Sequence, residues 1–173
     1  ILERGTKFGT TVDNVPFVFS LLQSQTSIRV DTLDGAGNKT YTFSFPDLEI
    51  AQGTIRSLSY RVDNDIENQK FQISDRDADT SSLRVRVQKN QDSASFDSYT
   101  QFITLQNVGA SSQVYHLQEN SSGFYQIYFG DGVIGKKPVN DNIVTLDYLV
   151  TAGDAGNGAN TFSLITGFNN LDI

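Results

Sequence analysis

Short runs of alternating apolar and polar residues, each closed by Asp, Asn, Gly or Ser, recur along this chain from near its start almost to its end. A period of two is the signature of a half-buried strand, because successive side chains point to opposite faces. Val15–Phe19, Ile28–Leu33 and Tyr41–Phe45 read this way, and so do Leu58, Tyr60 and Val62 on one face and Leu83, Val85 and Val87 on another. Gln113–Glu119, Phe124–Phe129, Ile143–Val150 and Thr161–Phe168 complete the expected strands. The 34–38 segment, Asp-Gly-Ala-Gly-Asn, predicts a hairpin connection, since its residues tolerate positive φ. Apolar residues at both parities of 143–150 predict a strand covered on both sides.

Composition supports the same class. Sixteen of the twenty acidic residues are Asp, which favours turns over helices, and fourteen Gly agree. One segment breaks the pattern: across residues 94–105, Phe96, Tyr99 and Ile103 share a helical face, with Asp92 or Ser93 as the N-cap. The expectation is a mainly-β, antiparallel β-sandwich-like domain with one short helix at about 94–105. Residues 1–173 are expected to form one module, with a sub-boundary near 88–95. The lack of any Met leads us to expect a piece of a longer protein.

The chain excludes much chemistry. It has no Cys, so it offers no disulfide, thiolate nucleophile or thiolate zinc site, and His116 is its single imidazole. A net charge of −7 opposes nucleic-acid binding, and no apolar run is long enough to span a membrane as a helix. The stretch Asp75-Arg76-Asp77-Ala78-Asp79 opens like a calcium loop, but Thr80 stands where Gly is required and Arg86 where a bidentate Glu belongs. Asp63-Asn64-Asp65 is a weaker case of the same kind. Asp147 within an apolar strand predicts a partner, an Arg or a backbone amide, rather than a catalytic acid. Gly130-Asp131-Gly132 with Gly135 is no phosphate loop, because Pro138 and a strand follow instead of a helix. It reads as a tight turn. Tyr125 and Tyr128 lie at opposite parities, so one of them faces away from the core unless both faces are covered. We expect no catalytic residue, cofactor or metal ligand.

Several phrases in order carry a resemblance: Arg4-Gly5-Thr6-Lys7-Phe8, DTSSLRVRV at 79–87, VYHLQE at 114–119, YQIYFGDGVIG at 125–135, NIVTLDYLVT at 142–151 and Gly156-Asn157-Gly158. Together they resemble the baseplate J-like proteins of contractile-tailed phages, most closely the large wedge component of the inner ring of T-even-type baseplates. The resemblance implies a structural, non-enzymatic role in the tail baseplate of a virion, assembled in the host cytoplasm. It implies contacts with other wedge proteins and self-association in the full-length protein, in a ring that rearranges before sheath contraction. It transfers no catalytic residue, only a shape-giving turn at Phe129, Gly130, Asp131, Gly132 and Gly135. The rival readings are a carbohydrate- or receptor-binding β-sandwich of a tail fibre or adhesin, and a glycoside hydrolase fragment that would need two paired carboxylates.

Overall fold

The computed structural model describes residues 1–105 and 107–165. It divides into two compact units, one formed by Ile1–Thr54 with Thr151–Ile173 and the other by Ile55–Val150. Residues 88–95 lie inside the second unit.

The first unit holds β1 (Lys7–Val12), β2 (Val15–Leu21), β3 (Ile28–Leu33), β4 (Lys39–Ser44) and β5 (Ile50–Gln52). A 3-10 turn, Gly153–Gly156, and a two-residue strand, Ser163–Leu164, complete its described residues. An antiparallel sheet runs in the order Ser163–Leu164, β1, β2, β5. Asp13 and Asn14 join β1 to β2 with φ of 49° and 64°, the two-residue hairpin turn whose twist matches that of its strands. β1 escaped the sequence reading because Lys7–Val12 has only two apolar residues, Phe8 and Val12, and Gly9 between them. Leu21 and Ser20 are fully buried, and the Ser20 hydroxyl donates to the Gly53 carbonyl at 2.7 Å. β3 and β4 form a separate two-stranded ladder inserted between β2 and β5. Its connection is the expected hairpin: the Asp34 carboxylate accepts the amides of Ala36 and Asn38 at 2.9 and 2.8 Å. Of the expected 161–168 strand, residues 163–164 pair, and 166–168 lie outside the described residues.

The second unit holds β6 (Thr54–Arg61), β7 (Phe71–Gln72), β8 (Ala78–Gln88), β9 (Phe96–Gln101), β10 (Val114–Glu119), β11 (Tyr125–Phe129) and β12 (Ile143–Val150). They make one sheet in the order β6-β12-β8-β9-β10-β11-β7. Its two edge strands meet through side chains. Tyr60 of β6 packs on Phe71 of β7 with ring centroids 5.7 Å apart, and its hydroxyl donates to the Gln72 carbonyl. The sandwich-like packing expected from the alternation is thus made by one curled sheet facing itself across one core. Val85, Tyr99, Ile127, Val144, Leu146 and Tyr148 fill that core, each nearly or fully removed from solvent. A line of rings crosses it, from Tyr60, tilted on Phe71, to Phe129, which meets Phe71 (5.7 Å) and Tyr99 (5.0 Å) edge-on.

The expected helix over 94–105 is not formed. Phe96–Gln101 is β9, paired antiparallel to β8 with Val85 opposite Tyr99 and Gln88 opposite Phe96. Only Tyr99 of the supposed helical face is buried; Phe96 and Ile103 are 49% and 86% exposed. The i, i+3, i+7 spacing was coincidental. Burial of Tyr99 beside Val85 and backbone pairing along β8 outweigh a weak local preference. β9 then runs parallel to β10, with Thr100 opposite Val114, the one parallel pair among the registers of an otherwise antiparallel sheet. Residues 102–113 supply the dozen-residue crossover that a parallel pair requires.

β12 shows a second departure. Its register against β8 shifts between Asp147 and Leu149, so the adjacent Tyr148 and Leu149 are both buried. The two-sided apolar pattern in the sequence therefore reflects, in part, a bulge rather than a flat strand covered twice.

Candidate interaction surfaces

The loop after β11 is specified by steric demands. Phe129 anchors it in the core, against Phe71 and Tyr99. At position 130 the chain folds back so closely that a Cβ would lie 2.1 Å from the Ile134 carbonyl oxygen and 2.6 Å from that of Gly135. Only glycine fits there. Gly132 and Gly135 adopt φ of 90° and 88°, and the Gly132 amide donates to the Gly135 carbonyl at 3.0 Å. The Asp131 carboxylate accepts the amides of Val133 and Ile134 at 2.8 and 3.0 Å. Those donors, Ile134 first, hold it below the usual carboxylate range. The Gly135 amide donates to the Gly109 carbonyl and the Lys136 amide to that of Ser112. With its backbone so occupied, the loop turns two apolar side chains outward: Val133 is 71% exposed and Ile134 42%.

Beside this loop lies an open groove of about 690 Å³. Residues 62–71 form one wall, and Tyr128, Phe129, Gly130 and Asp131 contribute to the other. The wall loop is held by side chains: the Gln69 amide donates to the Arg61 carbonyl at 3.1 Å, and its oxygen accepts the Asp63 amide at 3.0 Å. Asp63 also accepts the Asp65 amide, an Asx turn that accounts for the Asp-Asn-Asp triplet. Ile66 stands half-exposed at the rim. Four carboxylates (Asp63, Asp65, Glu67, Asp131) and two ammonium groups (Lys70, Lys137) line the groove, so its field is acidic overall.

Outside the curled sheet runs an aromatic stack. His116 lies flat on Tyr128, centroids 4.7 Å apart and planes 12° apart, and Phe102 packs on its other side at 4.6 Å. Tyr125 instead packs against the core, which resolves the two opposed tyrosines. His116 is thus a stacked surface residue with no nucleophile against it.

The remaining suspects are structural. Asp147 is paired with Arg86 at 2.6 Å, as its apolar strand predicted, and the Arg86 guanidinium lies 5.0 Å over the Phe96 ring. Asp75 accepts the buried Tyr148 hydroxyl at 2.6 Å and faces Arg56 at 3.5 Å. Burial first, and then Asp75, push that phenol far above its usual range. Asp79 accepts both the amide and the hydroxyl of Ser81. Asp75 and Asp79 thus serve different partners, and among the described residues no group of three or more His, Asp or Glu is arranged to hold a metal ion. At the foot of β12, Asn142 donates to the Lys89 carbonyl and accepts the Val139 amide, both at 2.9 Å, and its own carbonyl accepts the Val62 amide. This clamp explains why an Asn leads that strand.

The family model described as the third domain of bacteriophage baseplate wedge protein gp6 matches residues 58–151. This chain belongs to that family. The matched span coincides with the curled-sheet unit, Ile55–Val150, to within three residues at either end. Baseplate wedge protein gp6 of Enterobacteria phage T4 is 26% identical over an alignment of 144 residues that covers 75% of this chain and 21% of that protein. The chain thus spans about a fifth of that relative's length. The wedge-family membership accounts for the phrases at 79–87, 114–119, 125–135 and 142–151, all of which fall inside the matched span. Sequence reasoning found the gly-rich turn but missed its outward tip. The signal was present, as two β-branched residues, Val133 and Ile134, set between obligatory glycines.

Proposed function

We infer that this chain is a structural module of a large baseplate wedge protein, the inner-ring component of a T-even-type contractile tail. It contributes protein–protein contacts to the ring that organises the baseplate and permits its rearrangement before sheath contraction. Its partners are other wedge proteins, and further copies of its own full-length protein; its place is the virion tail baseplate, assembled in the host cytoplasm. The observation that carries this reading is the family match over the curled-sheet unit, joined to a rigid loop that holds Val133 and Ile134 in solvent. A rigid apolar tip buries its area with little ordering cost, the condition under which a small contact becomes specific. The turn residues Phe129, Gly130, Asp131, Gly132 and Gly135 serve that presentation and do no chemistry.

The test is binding to the other wedge proteins by the full-length parent carrying Val133→Asp and Ile134→Asp. We expect affinity to fall about tenfold or more, with Val133→Asp alone leaving the melting temperature in place, since that side chain is 71% exposed. Unchanged binding would remove the tip from the contact. Turnover of a polysaccharide that depends on one carboxylate would overturn the structural reading itself.

A further inference from the structure

Every residue from 28 to 44 is exposed. A two-stranded hairpin with nothing on either face is marginal in water, and both of its outer edges offer unpaired amides and carbonyls. The edge of β3 carries an unusual feature. Its sequence, Ile28-Arg29-Val30-Asp31-Thr32, is complementary to itself when run antiparallel about Val30.

The ladder geometry decides which groups are free. The Asp34 amide donates to the Asn38 carbonyl at 2.9 Å, and Thr32, Val30 and Ile28 stand opposite Thr40, Thr42 and Ser44. Alternation along an antiparallel ladder then turns the backbone groups of Thr32, Val30 and Ile28 towards β4 and those of Leu33, Asp31 and Arg29 outward. A second β3 edge can join this one only in registers that pair outward residues with outward residues. Centred on Arg29, such a register sets Arg against Arg; centred on Asp31, it sets Asp against Asp. Centred on Val30, it sets each Arg29 opposite the other copy's Asp31, twice by symmetry. Val30 then faces its own copy in a non-hydrogen-bonded pair, and Ile28 faces Thr32 on the same side.

We propose that two copies of this chain pair through β3 in the Val30-centred register, making a four-stranded sheet β4-β3-β3-β4 across a two-fold axis. Arg29 and Asp31 already hold each other within one chain, at 2.6 and 2.9 Å, with Arg29 also over the Tyr41 ring at 4.5 Å. Both side chains are half-exposed, so their charges are available to the second copy without desolvating a buried pair. Val30, 50% exposed, meets its counterpart, and Ile28, 56% exposed, lies opposite Thr32 and diagonal to the other copy's Val30, which forms a small apolar centre that one hairpin lacks. An edge bearing like charges would repel its own copy, which is how edges are ordinarily kept apart. The alternating signs here do the reverse. This pairing deepens the contact-module reading and rests on it for its biological setting.

The chain contains no Cys, so single cysteines report the register directly. Under oxidation Val30→Cys is expected to give a covalent dimer, because non-hydrogen-bonded partners approach to about 4.5 Å between Cα atoms. Thr32→Cys, two positions from the axis, is expected to stay monomeric. In sedimentation, Asp31→Arg is expected to weaken the dimer about tenfold or more, and the swap Arg29→Asp with Asp31→Arg to restore it. Equal cross-linking at positions 30 and 32, cross-linking at Tyr41→Cys instead, a swap that fails to restore, or a monomer at every concentration would each overturn the pairing. Wedge-protein binding by a chain that stays monomeric would leave the contact-module reading standing while this pairing fails; a Val30-linked dimer with no such binding would do the opposite.

Discussion

β12 and β3 are written in the same alphabet, yet they end in opposite environments. Val144, Leu146 and Tyr148 alternate along β12 and are fully buried; Ile28 and Val30 alternate along β3 and stay in water. β12 sits between two neighbours in a sheet that curls over it, whereas β3 has β4 alone. The comparison teaches that alternation makes a strand but does not by itself supply a cover. A strand with period two and no cover is available to a partner, which is where a module of an assembly differs from a self-contained domain.

The sharpest way to break this comparison is to truncate both regions. Ile127→Ala in the curled sheet should cost about 2–5 kcal/mol in urea unfolding, while Val30→Ala, measured on the monomer, should cost under about 0.5 kcal/mol. Equal costs would mean that the hairpin is covered after all. Next, Gly130→Ala should destabilise by about 1–3 kcal/mol, because its Cβ would collide with the Ile134 carbonyl; Gly35→Ala, where a Cβ meets open space, should be nearly silent in the same melt. Tyr148→Phe should cost about 1–2 kcal/mol, since it removes the hydroxyl donor from Asp75 without altering packing. A neutral result there would show that Arg56 alone satisfies that carboxylate.

The smallest effect is a titration. Asp131 has its pKa lowered from 3.8 by the Ile134 and Val133 amides. A depressed carboxylate stabilises the fold above its unfolded pKa and loses that contribution as pH falls through the folded value. The Val133 and Ile134 amide resonances should therefore shift with a midpoint below pH 3.8; a midpoint at or above it would mean that the carboxylate does not cap the loop.

Much of this was legible in the sequence, for local reasons. The 34–38 connection, the Asp131-Gly132 turn and most strands follow from residues that tolerate positive φ and from a period of two, both of which act over a few neighbours. Asp147's need for a partner was also readable, because a carboxylate inside an apolar strand requires one, and the structure supplies Arg86 in that place. Other features were not. Residues 94–105 carry a spacing compatible with a helix, and only the burial of Tyr99 beside Val85 makes them a strand. The bulge between Asp147 and Leu149 mimicked two-sided coverage. The His116–Tyr128 stack joins residues on adjacent strands whose register no local signal specifies.

By itself, then, the sequence determined a mainly-β chain with sharply placed turns, no cysteine chemistry and a glycine-bound loop whose backbone has few alternatives. Tertiary structure alone decided that β12 inserts between β6 and β8, that β9 runs parallel to β10, and that Tyr60 closes the sheet on Phe71. The physical reason is range. Turn chemistry and strand period are settled within a few residues, whereas strand order and burial depend on which distant faces remove the most apolar surface from water together.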